Sequence, residues 1–541
     1  MNVLKTHLKL YAPVVAALTA APAMAEDLTI GLASEPTAVD PHYHDLSPNN
    51  AVGLHIFSAL GRLDAEQEVH PDLATSWETE DDNTWVFKLR EGVTFSDGSE
   101  FNADDVVFTF CRVMNNESSI SGTATTEVTN FASVEAPDPY TVRIKTKKVE
   151  PLLPELLSQI MVLSDGIAEH GELSFDLEND CGVTGAWPSV DDFNNGKAAI
   201  GTGPYVLEEF TKGSSITLTR NENFHGETPE WDKVTFKPVP SSGPRLAGLL
   251  SGDYDLIENP AARDIEQIEN NEGLEYTAAP SNRVIFLQMD TGRDDSPFIE
   301  AADGSNPFQD ERVRRAISMA IDRQAIVDRI MDGFAEPAYQ FVPGTMFGAL
   351  ENPEPIPYDP EGAKALLAEA GYPDGFKVTF HATNDRYIND SQVAQAIAQF
   401  LTRIGIETEL DAMTRSIFFT RRSNREFSFS MGGWGSSEGG AASFLRQYVT
   451  TGNEELGVGA SNYGGWSDPE FDAVLLEAIT TIDNEKRAGL LQQAVKLAMD
   501  KQGFIPIHFE SSIWGYRKGL HYEGRKDQYT LAYEITSDNG Q

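Results

Sequence analysis

Residues 84–114, TWVFKLREGVTFSDGSEFNADDVVFTFCRVM, constrain the fold more than any other stretch, because two periodicities meet in them. Trp85, Phe87 and Leu89 fall on one face of an alternating segment, the period of a half-buried strand. Ser96-Asp97-Gly98 is a turn signal. Asn102 then stands as the N-cap of a helix whose buried stripe is Val106, Val107, Phe110, Cys111 and Met114. A chain that changes from strand to helix so abruptly builds sheets covered by helices.

The same alternation recurs along the chain. YTVRIKT, YVLEEF, SITLTR and KVTFKPV read as strands, as do NRVIFLQMD and FIPIHF. The second half is dominated by helices. RVRRAISMAIDRQAIVDRIM carries Val313, Ala316, Ile317, Ala320 and Ile321 at helical spacing, and DPEGAKALLAEAGYPDGF starts at Pro360 and stops at Gly371. SQVAQAIAQFLTRIGIETEL passes from helix to strand. The fold class predicted is α/β. At 541 residues the chain is too long for one core of ~100–200 residues, so two or three lobes are expected.

The first 25 residues have the layout of a secretory signal: Lys5 and Lys9, an apolar run from Leu10 to Ala20, and the cleavage pattern Ala23-Met24-Ala25. The run is shorter than the ~20 residues of a membrane-spanning helix and no later segment is longer, so no direct membrane insertion is expected. The reading is an exported, periplasmic protein whose mature chain starts at Glu26. The formal charge of −43 repels nucleic acid and anionic head groups, which excludes both as partners. The two cysteines, Cys111 and Cys181, are either one disulfide in an oxidising compartment or two buried thiols.

Three patterns invite a chemical reading. Gly435-Ser436-Ser437-Glu438-Gly439 matches the nucleophile pattern of serine hydrolases, and Asp468, Asp472 and His508 lie downstream in triad order. The loop is so rich in glycine that the match follows from composition, and His508 falls within an apolar strand. His42 and His44 in DPHYHD offer metal ligands, but Pro41 argues against the strand that would align them, and no H-E-x-x-H or C-x-x-C occurs. Polar loop residues lining a cleft are expected there instead. Nucleotide-phosphate loops are absent as well. Neither a cofactor nor a resident metal is expected, and binding rather than catalysis is the expected activity.

SEPTAVDPH, LATSWETEDDNTWVFKLREGVTFSDGSEFNADDVVFTF, GTGPYVL, DERVRRAISMAIDRQAIV, YDPEGAKALLAEAGYPDGF, WSDPEFDAVLLEA and FIPIHF follow one another between residues 28 and 510. Together they resemble the extracellular solute-binding proteins of family 5, which serve ABC importers of peptides and nickel. The resemblance implies two lobes around a hinge with an additional inserted domain. One lobe would comprise 26–55, 190–285 and 505–541, the insertion 56–189, and the second lobe 286–504. It implies a monomer that encloses its ligand between the lobes and hands it to a membrane permease.

In peptide-binding members an aspartate three positions after the loop tryptophan holds the ligand's amine. Here Trp434 is followed at that place by Ser437, with Glu438 beside it. A serine cannot supply a charge-assisted bond to an ammonium. Arg386 with Tyr387 matches a carboxylate-binding loop, Arg422 matches another cleft arginine, and Glu35 and Thr37 match a segment that pairs with ligand backbone. Nickel chelates, glycosides and opine-type compounds are the alternative ligands, with His42, His44 and His381 keeping nickel open. A secreted hydrolase using Ser437 is the rival from another class.

Overall fold

The computed structural model describes residues 27–43, 46–115, 123–436 and 439–538. Ser437, Glu438, His44 and the signal-like segment therefore lie outside the described residues.

A single sheet of twelve strands runs through the molecule. The first strand, Asp27–Leu32, buries Leu28 and Ile30 completely and lies between Lys233–Pro238 and Leu256–Glu258, parallel to both. Two long antiparallel strands, Leu274–Met289 and Ile505–Arg517, form the middle of the sheet. At one end Tyr516 pairs with Leu256, in the half that holds the N-terminal strand. At the other, Val284–Met289 pair with Phe429–Trp434 in the second half. These two crossing strands are shared by both lobes and form the hinge. Their ladder is interrupted between Pro280 and Val284, so Asn282 and Arg283 leave the regular register where the lobes meet. Such irregularities re-aim side chains.

The first lobe packs around Trp231, Tyr205, Phe236 and Trp514, and the second around Phe308, Ile317, Phe380 and Phe429. In the second lobe Phe376–Thr383 runs parallel to Ile406–Met413, joined by the helix Asp390–Arg403. Here the structure corrects the continuous helix expected over 312–331. Two helices form, Glu311–Ala320 and Arg323–Arg329, because Ile321 is extended and the Asp322 side chain accepts from the Ala325 amide at 2.9 Å. A mid-segment N-cap outcompetes continued apolar spacing.

The inserted domain, expected over 56–189, centres on a four-stranded antiparallel sheet within residues 74–146, covered by the helix Ala103–Met114. Asn102 and Asp105 cap that helix reciprocally. Two devices tie the insertion to the first lobe and a third staples it internally. Asp40 and Arg112 form a fully buried ion pair, with Nη1 to Oδ1 at 3.0 Å and Nη2 to Oδ2 at 2.5 Å. Cys111 and Cys181 are disulfide-bonded across 70 residues. In GTGPY, a Cβ on Gly201 would lie 2.0 Å from the Ile56 carbonyl oxygen and one on Gly203 2.6 Å from the Ile56 carbonyl carbon, so only glycine admits this approach. The DPH motif is thus structural rather than cleft-lining: His42 is buried with Nε2 2.9 Å from the Met161 carbonyl, and Asp40 holds Arg112.

Candidate functional site

A cavity of about 310 Å³ opens where the crossing strands lose register, with walls from both lobes and the inserted domain. Asn282 donates from Nδ2 to Gln67 Oε1 of the inserted domain and to the Ser436 carbonyl of the second lobe, so three bodies converge on one side chain. Lys526 adds a second clasp, bonding to Glu66 on one side and to Thr345 Oγ1 at 2.6 Å on the other.

The second-lobe wall is built around Asp390. Its Oδ2 accepts from Thr383 Oγ1 at 2.7 Å and from the amides of Arg386 and Tyr387 at 3.0 and 3.2 Å, which fixes the 384–389 loop. Arg386 then lies over the Tyr387 ring, 5.1 Å from its centroid. Tyr387 in turn needs Gly433 opposite it, since a Cβ there would come within 2.6 Å of the ring. Arg422, on the helix Arg415–Ser423, stacks over Phe419 at 4.8 Å and Tyr463 at 5.1 Å. Its Nε and the Nε1 of Trp434 are buried and without acceptors.

Of the residues expected from the sequence, Arg386, Tyr387, Arg422 and Trp434 line the cavity. Glu35 and Thr37 do not. Glu35 accepts from the Gly213 amide at 2.6 Å, and Asn49 bonds both the Thr37 amide and its hydroxyl at 2.9 Å. Sequence reasoning passed over Arg62, Arg283, Arg525, Asp527 and Glu534, which also line it. Arg283 lies 3.4 Å from buried Glu510 and bonds Gln528 Oε1 at 3.0 Å. Burial raises the Glu510 pKa and lowers that of Arg283, the nearby positive charge of Arg386 adding to the latter. Arg525 is held by Asp527 at 2.7 Å and Glu534 at 2.8 Å.

The acids and the histidine of the hydrolase reading are engaged elsewhere or isolated, and Ser437 lies outside the described residues. Asp468 caps the helix Pro469–Ala478 and pairs with Lys501, Asp472 accepts from Thr450 and Thr451, and His508 is fully buried with neither ring nitrogen hydrogen-bonded. Burial lowers the His508 pKa to about 4. The unfolded chain therefore takes up a proton near pH 6.5 that the native state refuses, and stability falls as pH drops from there towards 4. The full contribution is about 3 kcal/mol. Urea titrations of His508→Leu should show a stability gain over the parent of that order between pH 7 and pH 4; parallel pH profiles would refute it.

Two lobes closing on a cavity across shared hinge strands define the class of two-lobed solute receptors. Residues 68–455, more than two thirds of the chain, match the family described as bacterial extracellular solute-binding proteins, family 5, middle region. The chain belongs to that family. It is 28% identical over 482 residues to heme-binding protein A of Haemophilus influenzae, covering 85% of this chain and 82% of the relative. It is 27% identical over 514 residues to the glutathione-binding protein GsiB of Salmonella typhi, covering 93% of each. Among solved structures, HbpA2 from Haemophilus parasuis superposes with a TM-score of 0.79 at 24% identity, covering 95% of this chain and all of the other.

Proposed function

We propose that this chain is the monomeric, periplasmic solute-binding subunit of an ABC importer, that it performs no chemistry on its ligand, and that its ligand is a small peptide or peptide-like solute. The observation that carries this reading is the cavity walled by both lobes, since a ligand touching both favours the closed state over the open one. A volume of about 310 Å³ is at the small end of the ~300–1,000 Å³ typical of ligand sites, which suits a ligand of two or three residues. The glutathione-binding relative supports a peptide-like ligand of that size. The lobe boundaries assigned above, at 55, 189, 285 and 504, belong to the same proposal; the core around Phe110, whose buried members all fall between 60 and 181, supports the insertion, while the core around Trp231 also takes in Phe57, Phe108 and Met161 from it.

The test is a thermal-shift and calorimetric screen of di- and tripeptides, glutathione, nickel–histidine complexes and glycosides. A ligand at 100 times its dissociation constant should stabilise the protein by ~2.7 kcal/mol. Arg386→Gln should weaken the hit at least tenfold (about 1.4 kcal/mol) with little change in the unliganded protein's melting, because among the described residues the Arg386 guanidinium makes no salt bridge and its attraction to Glu510 is offset by repulsion from Arg283. A hit that binds equally well to Arg386→Gln would remove this loop from the site.

A further inference from the structure

We infer that the solute is a multi-carboxylate anion, recognised through its acidic groups by guanidiniums on opposite cavity walls rather than caught by an ammonium. The inference rests on the receptor reading and narrows its ligand class.

The charge count comes first. Among the described residues five arginines line the cavity, Arg62, Arg283, Arg386, Arg422 and Arg525, against two carboxylates, Asp527 and Glu534. This reverses the balance of a chain with 84 acidic and 41 basic residues. Both carboxylates are committed to Arg525, and Glu510 offsets Arg283. Arg62, Arg386 and Arg422 have no acidic side chain in salt-bridge range among the described residues; Glu534 feels the charge of Arg62 and Glu510 that of Arg386 only at longer range. Arg386 also lies close enough to Arg283 for the two charges to oppose one another.

The hydrogen-bonding inventory points the same way. Arg422 Nε and Trp434 Nε1 are buried donors lacking acceptors, and both residues face the cavity. A buried donor without an acceptor is costly until a partner arrives, whereas Arg62 is exposed and offers its charge from the cavity rim. A carboxylate supplies charge and acceptor together, and a planar guanidinium matches it in two parallel bonds. An ammonium would meet a wall on which the described carboxylates are already engaged. Arg62 and Arg422 come from the inserted domain and the second lobe, so a ligand acidic at both ends would draw the two walls together.

Four tripeptide probes decide the matter by calorimetry: Ala-Ala-Ala, Glu-Ala-Glu, N-acetyl-Glu-Ala-Glu and, matched in size to Glu-Ala-Glu, Lys-Ala-Lys. Both glutamate peptides should bind at least 100-fold more tightly than Ala-Ala-Ala. Acetylation should change affinity less than fivefold, and Lys-Ala-Lys should not bind. Arg422→Gln should cost Glu-Ala-Glu at least tenfold and Ala-Ala-Ala less than twofold, with Arg62→Gln behaving alike as an independent second variant. If Ala-Ala-Ala or Lys-Ala-Lys binds as tightly as the glutamate peptides, the multi-carboxylate assignment fails and the receptor reading stands. If the glutamate peptides do not bind, the assignment fails too; silence from the whole set, with no solute in native mass spectra, counts against the receptor reading as well.

Discussion

Asp40→Asn is expected to destabilise the protein by about 3–5 kcal/mol, the usual cost of removing one partner from a buried ion pair. The pair it breaks is almost without exposure, at 0% for the Asp40 side chain and 1% for Arg112. Both carboxylate oxygens are engaged, and Oδ1 also accepts from the His42 amide at 3.0 Å. Among the described residues Arg112 has no equivalent anion to turn to: its other contacts are the Pro188 carbonyl at 3.3 Å and the Phe193 ring at 5.0 Å. The substitution leaves a guanidinium in a dry interface between the N-terminal segment and the helix Ala103–Met114. Urea unfolding monitored by tryptophan fluorescence measures the loss. Asp40→Leu combined with Arg112→Met should recover much of it, because no charge then remains to be solvated. A loss below 1 kcal/mol for Asp40→Asn would show that water reaches Arg112 and would remove the pair as the anchor of the inserted domain.

The second large effect is expected from Cys111→Ser with Cys181→Ser. Opening a loop of 70 residues restores conformational entropy to the unfolded chain worth about 4 kcal/mol on the loop-closure model. Both sulfurs are fully buried, so the two hydroxyls also enter an apolar core around Phe110 and Phe131. Cys111→Ala with Cys181→Ala separates the contributions: it keeps the entropic loss and omits the buried hydroxyls. Denaturation with and without a thiol reductant should reproduce the alanine result in the parent and leave the variant unmoved. Equal stability of parent and alanine variant under oxidising conditions would show that the unfolded chain is already restrained without the bond.

Local structure was legible where its cause is local. The capped helix at 103–114, the strand at 84–89 and the helix beginning at Pro360 follow from periodicity and capping residues within a few positions. The break at Ile321-Asp322 was missed because apolar spacing runs through it; the aspartate three residues before Ala325 was the readable signal. The cavity was legible only in part. Arg386, Tyr387, Arg422 and Trp434 belong to loops whose motifs resemble those of a family, whereas Arg62, Arg283 and Arg525 come from places over 200 residues apart. No periodicity announces their meeting. What joins them is the interrupted ladder and the return of the C-terminal segment across the cleft. The Pro280-Ser281-Asn282 run inside an otherwise strand-like stretch was the one hint that the register fails there. Charge on the chain as a whole misled in the same way, since a total of −43 conceals a pocket of opposite sign.

The order of strands in the main sheet also sets a timetable for synthesis. Asp27–Leu32 is made first, yet its neighbours are Lys233–Pro238 and Leu256–Glu258, and the latter rests on Ile505–Arg517. The sheet lacks a central member until the ribosome has passed residue 517 of 541. At ~5–20 residues per second, that delay is roughly half a minute to a minute and a half after the first strand appears. The inserted sheet, contiguous over 74–146, can form early, but the cleft cannot. Such lateness leaves Leu256–Glu258, a neighbour of the first strand, without its other partner until translation is almost complete.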